Sequence, residues 1–135
     1  MYPLLGDYFK KNKYIVLYEV PIGNLHPRKF DVVAINNKEI ITTEAKLKNF
    51  ERTMQQAITR LYYSDRVFVA FPEKYASYVN EKYYDDLIQV GIGLLAVDDD
   101  VSKVINAKKS RRINTARRKK LLYKIKEMKV GCGLI

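Results

Sequence analysis

Cysteine and histidine occur once each in these 135 residues and tryptophan not at all. No apolar run reaches the length of about eighteen residues that reads as a membrane-crossing helix. A lone Cys132 excludes an internal disulfide and a cysteine-based zinc site. A Cys–His nucleophile would have to join Cys132 to His26 from the other end of the chain. Cys132, between Gly131 and Gly133, reads as part of a loose tail, and His26, in a proline-flanked loop, reads as structural or exposed. Residues 1–7 lack the basic start and long apolar centre of a signal peptide, so the expected location is cytoplasmic. The length and a 47% hydrophobic content suit one small domain with a real core.

Acidic residues are scarce in one region only. Residues 1–100 carry 13 Lys and Arg against 14 Asp and Glu, whereas residues 101–135 carry 12 against one, so the whole excess of +10 comes from the C-terminal segment. Lys108, Lys109, Arg111, Arg112, Arg117, Arg118, Lys119 and Lys120 supply most of it. Dense cations without balancing acids raise phosphate affinity by counterion release, which makes a polyanion such as DNA or RNA the expected partner. An anionic membrane is a weaker match, because the segment lacks a large aromatic face. Residues 1–106 are expected to form the domain and 107–135 a basic extension, either part of it or a tail.

Patterning predicts an α/β protein. Leu4, Leu5, Tyr8 and Phe9 define a short amphipathic helix, followed by β-branched and aromatic strands over 14–20, 30–35 and 40–46. Asn36-Asn37-Lys38-Glu39 supplies the hairpin turn between the last two. Asn49 is a candidate N-cap for a helix whose stripe is Phe50, Met54, Ala57, Ile58 and Leu61. Residues 66–71 read as a buried central strand ended by Pro72, and a helix is expected around Tyr75–Tyr83. A fifth strand over 91–97, a turn at Asp98–Asp100, a sixth edge strand over 101–105 and a basic helix over 114–128 complete the pattern.

Three polar residues stand where strand-like runs meet polar sequence: Asp31, Glu44 and Lys46. Period-2 geometry points Glu44 and Lys46 to one face, and Asp31 can face them across the hairpin. Two carboxylates at close range suit Mg²⁺ or Mn²⁺, and an adjacent ammonium can orient water or steady charge on a phosphate. That is the chemistry of metal-assisted phosphodiester hydrolysis. Glu-x-Lys alone is weak, because Glu127-Met128-Lys129 repeats it in a helical stretch.

Asp31, Glu44-Ala45-Lys46 and the helix carrying Gln56 together resemble the PD-(D/E)xK nuclease superfamily, the restriction-endonuclease-like fold. The resemblance spans about residues 5–100, with Phe30 where the superfamily often has proline. It implies an αβββαβ core with a mixed central sheet flanked by helices. It further implies Asp31 and Glu44 as metal ligands with the Ala45 carbonyl, Glu19 as an upstream acid near the metal, Lys46 beside the attacking water, and Gln56 on water or the DNA backbone. The function expected is a divalent-metal-dependent DNA endonuclease, by default a homodimer. The alternative is a non-catalytic DNA-binding module on the same fold.

Overall fold

The computed structural model describes residues 1–22 and 29–131, so His26 and Cys132 lie outside the described residues. The elements run α1 (Tyr2–Lys11), β1 (Ile15–Pro21), β2 (Lys29–Ile35), β3 (Ile40–Ala45), α2 (Phe50–Arg60), β4 (Arg66–Pro72), α3 (Glu73–Val90), β5 (Gly93–Val97), β6 (Val101–Ile105) and α4 (Thr115–Gly131). The strands form one mixed sheet in the order β1-β2-β3-β4-β5-β6. Antiparallel pairing joins β1 to β2, β2 to β3 and β5 to β6; β3, β4 and β5 run parallel. The α/β class with a helix-flanked mixed sheet is therefore as the pattern predicts.

Local chemistry explains the punctuation. Asn36 Oδ1 accepts from the backbone N–H groups of Lys38 and Glu39, each at 2.9 Å, and so closes the β2–β3 hairpin. Asn49 tolerates a left-handed φ of 68° and caps α2 through its side chain, which accepts from the Arg52 N–H. β4 is buried at every position between its two end residues because it is a central strand with neighbours on both sides. α3 runs longer than the tyrosine spacing predicts, from Glu73 to Val90, with a non-helical turn at Tyr83 whose ring stacks on Phe50 at 4.1 Å.

Two faces of the sheet are covered. Leu5 and Phe9 of α1 pack on one face with Val32, Ala34, Ile41, Phe68 and Leu95. On the other, α2 and α3 bury Met54, Ala57, Val79 and Leu87 against Val67, Val69, Phe71 and Leu94. The basic C-terminal segment joins this second layer: Leu121 and Ile125 of α4 are fully buried among Leu17, Val20, Phe30, Val33 and Ile40. Its exposed cations are thus mounted on a packed helix.

Because Leu121 has no exposed surface, Leu121→Ala is expected to lower the unfolding free energy by about 2–5 kcal/mol, through weaker packing and the cavity left behind. Urea denaturation measures this. A decrease below about 0.5 kcal/mol, the usual size of a surface substitution, would mean that α4 is not part of the core.

Candidate functional site

Register brings the two hairpin acids together. The β2–β3 pairs Val32↔Thr43 and Val33↔Thr42 extend by one step to set Asp31 opposite Glu44, and directly opposed residues of an antiparallel pair share a face. Here the ladder opens, and the Asp31 side chain replaces it. Its Oδ2 accepts from the Ala45 backbone N–H at 2.9 Å and from Lys46 Nζ at 2.8 Å. One carboxylate oxygen therefore both ends the hairpin and holds the ammonium.

Glu44 is 1% exposed and points toward α2. The Nε of Arg60 donates to its Oε1 at 2.5 Å. The same guanidinium donates through Nη2 to the Lys29 carbonyl at 3.3 Å and lies 4.2 Å from the centre of the Phe30 ring. Burial pushes the Glu44 carboxyl up to about 7, with Asp31 adding to the rise and Arg60 opposing it.

Asp31, Glu44 and Lys46 line one cavity of about 640 Å³, with Gln56 and Arg60 among its other walls. Gln56 and Arg60 belong to one face of α2, at i and i+4. The cavity also takes Lys29 and Arg52, so four cations surround two carboxylates. That balance favours an anionic occupant.

Glu19 stands apart. Pairs Tyr18↔Val32 and Val20↔Phe30 flank a Glu19–Asp31 position that forms no pair, because Glu19 adopts a left-handed φ of 49°. Regular register would have aligned Glu19, Asp31 and Glu44 in a row across three strands. Instead Glu19 is exposed, and Val20 and Phe30 turn to the α4 side while Tyr18 and Val32 keep to the α1 side. A non-glycine residue held at positive φ is a local strain of the kind that collects at functional sites. Among the described residues no three Asp, Glu, His or Cys side chains gather as a metal-binding group.

Two site residues carry no family signature in the sequence. Arg60 continues the buried stripe of α2 (Phe50, Thr53, Met54, Ala57), and a charge at an apolar-stripe position was the signal available for it. Tyr2 arrives from the start of α1, stacks on Tyr18 at 5.7 Å, and stands near enough to Asp31, Glu19 and Glu44 to be affected by all three. Burial and the Asp31 carboxylate raise its hydroxyl well above the ordinary value, so it stays protonated and able to donate. No sequence pattern pointed to it.

The eight basic positions divide. Lys108, Lys109, Arg111 and Arg112 border a separate cavity, Arg117 and Arg118 contact the turn that follows α2, and Lys119 and Lys120 are exposed on α4.

No family model matches this chain, and no curated protein does so either. Among solved structures, a protein of unknown function from Silicibacter pomeroyi is similar at 21% identity and a TM-score of 0.66, over 94% of this chain and 82% of that one. This likeness extends the α/β fold to a second protein. No helix among the described residues is long and apolar enough to cross a membrane.

The Glu44 carboxyl gives a pH signature. Folded, it holds its proton to about 7, whereas the ordinary value for an unfolded glutamate is 4.5. The folded state therefore binds the extra proton between those limits. Glu44's contribution to stability is greatest below pH 4.5 and is lost as the pH rises through 7. Urea midpoints measured across this range should fall for the wild type relative to Glu44→Gln; parallel profiles would refute the assignment. Arg60→Ala, which leaves a buried acid without its partner, should cost about 3–5 kcal/mol near neutral pH, read in the same titrations.

Proposed function

We propose that this chain is a divalent-metal-dependent endonuclease that hydrolyses phosphodiester bonds in DNA, built on a restriction-endonuclease-like αβββαβ core. One observation carries the reading: Asp31 and Glu44, opposed on neighbouring strands, share a cavity with the Lys46 ammonium. The sheet order supports the finer fold. An antiparallel meander of β1, β2 and β3, followed by α2 and a parallel β4, is what such a core requires.

The donor chemistry fits a hard cation. Ala45 and Lys46 donate to Oδ2 of Asp31 and Arg60 to Oε1 of Glu44, so none of the three uses Oδ1 or Oε2, and the Tyr2 hydroxyl stands close to the Asp31 carboxylate. Each acid so retains one oxygen for Mg²⁺ or Mn²⁺, which is commonly held by one or two carboxylates with waters and phosphate oxygens. A bound ion of this kind supplies Lewis acidity and lowers the pKa of water. Lys46, anchored by Asp31, orients the attacking water and stabilises negative charge developing on the phosphate. Arg60 opposes the rise that burial imposes on the Glu44 carboxyl, and Gln56 offers an amide to water or to a phosphate oxygen. Glu19, outside the lining of this cavity, stands near Tyr2. Cutting both strands calls for two such sites, hence a homodimer.

The pairing of each acid with a cation, Asp31 with Lys46 and Glu44 with Arg60, favours a second reading: a DNA-binding module in which these charges only hold the fold. A supercoiled-plasmid assay separates the two. The nuclease should nick or linearise plasmid with Mg²⁺ and not with EDTA, and Asp31→Ala and Lys46→Ala should each slow it by about 100-fold or more. Tight, salt-sensitive binding without metal-dependent cutting would establish the module instead.

A further inference from the structure

The cations of residues 108–120 are not one uniform surface. Arg117 lies 5.3 Å from the ring centre of Tyr62 and 5.9 Å from that of Tyr63, and Arg118 meets Asp65 at 2.9 Å. Both fasten α4 to the segment between α2 and β4. Lys108, Lys109, Arg111 and Arg112 instead border a cavity of about 590 Å³ that no carboxylate among the described residues lines. The ion pairs among the described residues use Lys46, Arg60, Arg66, Arg118 and Lys124, and these four cations take part in none of them.

Their side chains are exposed, yet their backbone is pinned. The Lys108 N–H donates to the Gly91 carbonyl at 3.0 Å, and the Ser110 N–H donates to the Asp65 carbonyl at 2.7 Å. The Ser110 hydroxyl donates to the Leu61 carbonyl at 2.6 Å and accepts from the Arg112 N–H at 3.1 Å. Gly91 ends α3 at a φ of 85°, and a Cβ there would meet Lys108 Cβ at 3.3 Å, so the two segments touch closely. A free tail would spread like charges apart. Here hydrogen bonds hold four of them around one hollow, which is favourable once closely spaced anions fill it.

The position of this hollow names its occupant. Arg60 lines the site cavity and Leu61 lines this one. Arg60 is the last residue of α2 and Leu61 its C-cap, so the two cavities adjoin at consecutive residues of one helix end. We propose that Lys108, Lys109, Arg111 and Arg112 form a second clamp on backbone phosphates, which grips DNA as it passes from the site cavity over the C-terminal end of α2. The inference rests on the nuclease reading for the identity of the polymer. Its binding claim needs no cleavage.

The test is fluorescence anisotropy of a labelled duplex of about 20 base pairs in EDTA, over salt from about 50 to 200 mM. The variants are Lys108→Ala/Lys109→Ala and Arg111→Ala/Arg112→Ala, with Lys10→Ala/Lys11→Ala, at the end of α1 on the opposite face, as a control for net charge. Each clamp pair should weaken binding at least about fivefold and flatten the plot of log affinity against log salt by about 0.9 for each phosphate no longer neutralised. Lys108→Arg/Lys109→Arg should retain the wild-type slope. The substituted side chains are exposed and the pinning bonds come from the backbone and Ser110, so melting temperatures should be unchanged. If the clamp variants bind like the control pair, the proposal is overturned, even should plasmid cutting depend on Asp31. If they bind more weakly while no cutting occurs with any metal, the clamp stands and the nuclease reading falls.

Discussion

The buried pair between Glu44 and Arg60 is the constraint on which the rest depends. A carboxylate with 1% exposure is costly in the interior unless a cation and hydrogen bonds accompany it. Arg60 provides both, and its guanidinium also reaches the Lys29 carbonyl and the Phe30 ring. One side chain thus ties α2 to the ends of both β2 and β3. The helix face that carries Gln56 is fixed over the acids by the same ion pair, and the cavity between sheet and helix follows from it.

Asp31 does comparable work at the surface of that cavity. By accepting from the Ala45 N–H it closes the hairpin where the ladder opens, and by accepting from Lys46 it keeps the ammonium beside the acids. Local structure and site chemistry use the same oxygen. Just beyond, the left-handed backbone at Glu19 interrupts what would have been a three-acid row, turning the end of β1 toward α4. The result is a compact pair of acids bordered by cations, with Tyr2 brought in from the helix on the other side of the sheet.

Much of this was legible in the chain. The hairpin acids, the Asn49 cap, the central strand before Pro72 and the edge strand at 101–105 follow from period, turn residues and length. The convergence of Asp31, Glu44 and Lys46 also follows once strand register is assumed, whereas Gln56 was named by the resemblance and reaches the same cavity through the docking of α2. Arg60 was harder to see, since its stripe position marks it as buried but not as the partner of a residue sixteen positions away. Tyr2 was invisible, because what places it near the acids is the docking of α1. The basic segment read as one block of charge, and only folding separates the cations that fasten α4 from those that border a hollow.

What the sequence alone determined is therefore everything that depends on neighbours along the chain: element types, the faces of strands and helices, the two acids and the lysine at strand ends, and the concentration of positive charge near the C-terminus. Tertiary structure decided, among the described residues, which charges are paired, which acid leaves the row, and which cations stay outside the ion pairs. The reason is physical: burial, ion pairing and backbone strain depend on groups distant in sequence, and no local pattern records which of them will meet.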